Sequence, residues 1–185
     1  MNVWLLSLLL YLSGTTAVPA RLAQQELPPF HKTVRFNVYT FVVKAAYTDS
    51  TQTATVAAYR GSLLLTRFSQ PISGRLTGAE VGDLDGNRLP ELYLYSTDTN
   101  AGLAGRVYGW QFLPERLATI TPSQWTAPGT GYMGLDTLWT TKQALCRQFP
   151  VYTINNTDAR PTGTNRRICY RLRPSGLNYQ LAPEK

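Results

Sequence analysis

The chain has 185 residues, 43% of them hydrophobic and 16% charged, with a formal net charge of +7. One histidine and two cysteines exclude a histidine-based nucleophilic triad and the common zinc sites, which need more such ligands at other spacings. A domain of this size buries enough apolar surface to fold without a metal or a disulfide.

The expected elements run in chain order. Residues 3–12 form a nearly unbroken apolar run, followed by Ser13-Gly14 and the small residues Thr15, Ala17 and Ala20. That pattern predicts a secretory signal peptide over 1–20, too short to span a bilayer, although its start carries no Lys or Arg. Residues 21–29 read as a linker and 30–185 as one β domain, exported to the periplasm or beyond. Period-two alternation predicts strands at 34–41, 51–58 and 62–68, the last two joined by a hairpin turn at Tyr59-Arg60-Gly61. Further strands are expected at 92–95, 106–112, 138–152 (one or two elements) and 166–172, with 178–181 as a last edge. No window of twelve residues carries a helical apolar stripe, and Pro and Gly recur between the runs. The expected fold is therefore all-β, an antiparallel sandwich or flattened barrel of about eight short strands.

Cys146 and Cys169, the only cysteines of a chain read as exported, favour a disulfide. Each lies on the strand face opposite its large apolar neighbours, so a hairpin would bring both sulfurs to one outer face. Residues 142–185 hold eight basic side chains against Asp158 and Glu184. This basic end reads either as a solvated strand face or as a surface for anionic cell-wall polymer between Arg147 and Arg173. No nucleic-acid motif and no membrane anchor are evident. A monomer and a homodimer are both compatible with the sequence.

The most concentrated polar constellation is Asp83-Leu84-Asp85-Gly86-Asn87-Arg88-Leu89-Pro90-Glu91. Asp83, Asp85, Asn87 and Glu91 bear oxygens at positions one, three, five and nine, and the Leu89 carbonyl stands at seven, as a calcium loop requires. Arg88 stands at position six, where such loops use Gly for the sharp turn. A tight Asp/Asn/Gly turn needs no ion, so the expectation is no cofactor, with calcium as the alternative. A glycosidase pair drawn from Glu80, Asp83 and Glu91 would need a cleft lined by aromatics such as Tyr93, Tyr95, Tyr108 and Trp110.

Together, residues 77–95 (TGAEVGDLDGNRLPELYLY), the small-residue loop after them, GYMGLD at 131–136, LCRQFPVY at 145–152 and RRICYRL at 166–172 resemble the bacterial periplasmic inhibitors of invertebrate-type lysozyme. The resemblance covers roughly residues 30–181. It implies two packed antiparallel sheets, a periplasmic location, no catalytic activity, and a lysozyme as partner, whose active-site cleft the protein plugs. The family's plug is a loop reading Ser-Gly-x-Tyr, here matched by Ala101-Gly102-Leu103-Ala104. The implied contact residues are Asn100, Ala101, Gly102, Leu103, Ala104 and Gly105 within the 96–106 loop, with Tyr108 as a nearby aromatic. Gly102 fits the glycine, whereas Ala101 and Ala104 replace the serine and the tyrosine. Losing a hydrogen bond to a carboxylate and an interface tyrosine costs about 4 kcal/mol, roughly a thousandfold in affinity.

Overall fold

The computed structural model describes residues 29–46, 52–126, 128–155 and 158–184. The expected signal peptide and all of the expected linker except Pro29 lie outside the described residues. As expected, the fold is all-β, though with more strands than the eight anticipated. They are β1 (Phe30–Phe36), β2 (Tyr39–Ala46), β3 (Gln52–Arg60), β4 (Leu63–Ile72), β5 (Arg75–Gly82), β6 (Glu91–Asp98), β7 (Ala104–Phe112), β8 (Leu117–Pro122), β9 (Thr137–Thr140), β10 (Leu145–Asn155), β11 (Asp158–Ser175) and β12 (Asn178–Pro183). Strands β1 to β4 form a four-stranded meander. The other eight form one sheet in the order β5-β6-β7-β8-β12-β11-β10-β9.

The expected strand at 34–41 is two strands. Asn37 takes a positive φ of 50°, which Asn tolerates, and the chain reverses so that Phe36 pairs with Tyr39. The last strand is a second departure. β12 is not an edge but lies between β11 and β8, and it pairs with β8 in parallel through Tyr179, Gln180 and Leu181.

β6 explains how the two sheets share a core. Its alternating Leu and Tyr residues bury both faces, the reading expected of a strand covered on two sides. Leu92 and Leu94 point toward the meander, where they join Phe41, Val43, Val56, Ile72, Trp110 and Phe112. Tyr93 and Tyr95 point the other way, into the curl of the large sheet, with Ile120, Trp125, Leu145, Tyr170 and Leu181. Alanines at 45, 54, 58 and 79 let the layers approach closely. Tyr93, Tyr95 and Trp110 are thus core residues rather than the walls of a sugar cleft.

The large sheet is nearly closed on itself, and a side chain bridges its two edges. Glu80 on β5 accepts hydrogen bonds from the Thr140 backbone N–H on β9 (2.6 Å), from the Thr140 hydroxyl (2.9 Å) and from the Tyr95 hydroxyl (2.9 Å). Three donors converging on one carboxylate oxygen make this the clasp of the barrel. Glu80→Ala is expected to cost about 2–3 kcal/mol, measured by denaturant unfolding, and to increase amide exchange at Thr140. Unchanged stability would show that the seam holds without Glu80.

The disulfide forms as the alternation predicts. Cys146 and Cys169 are direct partners across β10 and β11, with Cα atoms 4.1 Å apart. They lie on the outer face, where Arg167 lies over the Trp139 ring and its guanidinium approaches the Cys146 sulfur.

Candidate functional site

The loop at 99–103 is built from its base upward. Asp98 ends β6 and caps a single 3-10 turn, Thr99–Ala101, accepting the Asn100 N–H at 3.1 Å. Its other carboxylate oxygen pairs with Arg106 at 3.1 Å. Gly102 and Leu103 then take left-handed conformations, φ 65° and 63°, and β7 begins. For Leu103 that conformation costs on the order of 1 kcal/mol, and the surroundings must hold it.

The hold comes from residues 131–136. The Leu135 N–H donates to the Leu103 carbonyl at 3.0 Å, and Gly134 lies so close that a Cβ there would stand 2.1 Å from the Gly102 oxygen. Any side chain at 134 would push the loop outward. The segment is itself pinned to β10, where the Tyr152 N–H donates to the Gly131 carbonyl at 2.9 Å.

Beneath the loop lies a buried cation. Arg147, whose side chain is fully buried, pairs with the equally buried carboxylate of Asp136 at 2.5 Å, and its Nε reaches the same oxygen at 2.8 Å. Two more of its N–H groups go to the Trp125 carbonyl (2.8 Å) and the Tyr132 hydroxyl (2.9 Å). The guanidinium carbon lies 4.4 Å from the Trp125 ring centre, 5.0 Å from that of Tyr132 and 5.4 Å from that of Phe149. Pairing, hydrogen bonding and three aromatic faces together offset the desolvation of the charge. Asp136 in turn accepts the Gly105 N–H (2.7 Å) and the Tyr132 hydroxyl (2.5 Å), and the Trp125 indole donates to the Gly105 carbonyl (2.7 Å). Both backbone groups of Gly105 are therefore held from below. A Cβ at 105 would stand 2.6 Å from that of Asp136, so only glycine fits. Burial, then Asp136, push the Tyr132 hydroxyl up to about 12, so it stays protonated as a donor.

Of the contact residues expected from sequence, Asn100 through Leu103 are exposed on the loop, Ala104 is half-buried, and Gly105 is buried as the loop's anchor. Tyr108 lies apart from them. It sits four residues up β7, packs against the core between the sheets, and accepts the Ser73 N–H at 2.8 Å. The sequence reading missed Met133 and Leu135. With Leu103 they are among the most exposed large apolar side chains, and the 102–103 and 133–135 backbones meet at the loop.

Of the basic surface expected between Arg147 and Arg173, Arg160, Arg167 and Arg173 are exposed, but not every cation lies free on it. Arg147 points inward, Arg167 stacks on Trp139, and Arg171 pairs with Glu184 and Gln143.

The acidic turn stands at the other end of β6. Asp83, Asp85 and Glu91 bring carboxylate oxygens within 4.8 Å of one another. Asn87 and Leu89, the other two expected ligands, are engaged within the protein. Asn87 Oδ1 accepts the Leu89 N–H at 2.8 Å, and Gln111 Nε2 donates to the Leu89 carbonyl at 3.3 Å. Arg88 adopts φ 68°, the left-handed turn that position six requires, without glycine. Burial, reinforced by Asp85 and Asp83, raises Glu91 from 4.5 to about 8 against the lowering effect of the Leu84 N–H, while burial raises Asp85 as well.

No protein-family model and no curated protein matches the chain.

Proposed function

We propose that this chain is an exported, non-catalytic protein-binding module that inhibits a lysozyme of the invertebrate type by inserting the 99–103 loop into its cleft. The observation that supports this reading most is a strained, exposed loop fixed from below by a buried ion pair. A loop held in advance of binding loses little freedom on docking, which is how inhibitors reach high affinity from small contacts. The chemistry of the tip has shifted. Where the family it resembles offers a serine and a tyrosine, this chain has two alanines, with Leu103 exposed on the loop and Met133 and Leu135 exposed on the segment braced against it. Apolar burial therefore replaces carboxylate hydrogen bonding, and Leu103 is the anchor of the contact.

The test is inhibition of invertebrate-, goose- and chicken-type lysozymes by the wild-type protein, by Leu103→Asp and by Ala101→Ser/Ala104→Tyr. Wild-type inhibition of the invertebrate type is expected in the micromolar range. Leu103→Asp should lose at least tenfold, and the double variant should gain up to roughly a thousandfold. If neither the wild type nor the double variant binds any of the three enzymes, the inhibitor reading fails.

A further inference from the structure

The acidic turn has no part in the loop's contact. The two lie at opposite ends of β6, about 25 Å apart at the rise of a strand. Three buried atoms at the turn ask for a different explanation. Asp83 Oδ1, Glu91 Oε1 and Gln111 Oε1 have no hydrogen-bond partner among the described residues. Glu91 and Gln111 are both 0% exposed, and they are direct partners across β6 and β7, so their side chains share one face beside the turn. With Glu91 ionised, all three are acceptor oxygens lacking a donor. Burying a carboxylate oxygen without a partner is costly, and in a native structure such an atom calls for an ion or a water.

We propose that the β5–β6 turn binds a calcium ion through the carboxylates of Asp83, Asp85 and Glu91. Oxygens bound to one calcium at about 2.4 Å stand no more than about 4.8 Å apart, the spacing these carboxylates show. The second oxygens of Asp83 and Glu91 are already fixed by the Arg88 N–H (3.1 Å) and the Leu84 N–H (2.8 Å), which orient both carboxylates without satisfying them. Gln111, whose Nε2 donates to the Leu89 carbonyl of the same turn, carries a further buried oxygen, Oε1, without a partner. The solvent side, at Asp85, leaves room for water ligands. Three carboxylates of unequal burial on a short loop suit calcium, which accepts six to eight oxygens in loose geometry. Magnesium requires a tight octahedron and keeps its waters. The site is structural, tying the β5–β6 turn to β7, and its occupancy is independent of whether the loop binds a lysozyme.

The experiment uses the purified protein stripped with a chelator. CaCl2 is added to about 10 mM at constant ionic strength, with calorimetry and thermal unfolding as readouts. A dissociation constant of about 10⁻⁴ to 10⁻³ M is expected, with Tm rising by about 3–10 °C. Glu91→Gln and Asp85→Asn should each weaken binding at least tenfold and lose most of the rise. Arg88→Gly, which removes a cation and supplies the residue the turn prefers, should tighten it several-fold. Asp85 is exposed, so its variant folds even if the Glu91 variant does not. Absence of both heat and Tm shift would overturn the proposal. So would an equal shift from MgCl2, or a shift that both carboxylate variants retain.

Discussion

Asp136→Ala is expected to lower stability by about 3–5 kcal/mol, a large share of the ~5–15 kcal/mol that holds a domain together. The substitution leaves the Arg147 guanidinium fully buried, with the Trp125 carbonyl and the Tyr132 and Tyr170 hydroxyls too few to receive its five N–H groups. It also frees the Gly105 N–H, so amide exchange at the base of the loop should rise along with the loss of stability. Replacing both charges with apolar groups, as in Asp136→Ala/Arg147→Met, should recover much of the loss, because the stranded charge rather than the missing attraction dominates the cost. A double-mutant cycle in denaturant measures the coupling between the two residues. Coupling near zero would mean that the pair is incidental and that the loop is braced by backbone contacts alone. Arg147→Lys should behave almost as badly as the single aspartate variant, since one ammonium cannot span Asp136, Trp125 and Tyr132 at once.

In calcium-free buffer, stability should fall as the pH rises from about 4.5 to about 8, by roughly 3–5 kcal/mol in all. Burial holds the Glu91 carboxyl at about 8, against 4.5 for the free group. Between these values the folded protein keeps a proton that the unfolded chain has released. The stabilisation is therefore complete below pH 4.5, drains away through the window, and levels off above 8. Glu91→Gln keeps an oxygen for the Leu84 N–H but cannot ionise, so it should flatten this part of the profile and exceed the wild type in stability near pH 8.5. Chemical unfolding of both proteins at several pH values checks it. A slope that is the same in both would assign the dependence to other groups.

The strands were legible where alternation was uninterrupted, as in β3, β6 and β10. They were missed where glycine or proline diluted it, as in Arg75–Gly82 with its two glycines and in Leu117–Pro122. The turn at Asn37 was hidden because the alternation runs straight through it, and only the left-handed backbone reveals the reversal. Arg147 could have been placed correctly. The alternation that turns Cys146 outward must turn Leu145, Arg147 and Phe149 inward, but the basic count of the C-terminal third drew it to the surface. The spacing of the acidic turn predicted five ligands; the carboxylates of Asp83, Asp85 and Glu91 do come together, while the Asn87 oxygen accepts from Leu89 and Gln111 and the Leu89 carbonyl accepts from Gln111. The bracing of the loop had no local signal. Gly134 and Gly105 matter only because they meet Gly102 and Asp136 across some thirty residues of chain.

The position of β12 has a consequence for the order of assembly. β1 to β4 pair only with sequence neighbours, so the meander can close as soon as it has been made. The large sheet cannot. Its two halves, β5–β8 and β9–β11, have no ladder between them until Asn178–Pro183 slides in, parallel to one and antiparallel to the other. β12 acts as a keystone. Until it pairs, no ladder joins the two halves, and the sheet cannot close around its core before Asn178–Pro183 has been made.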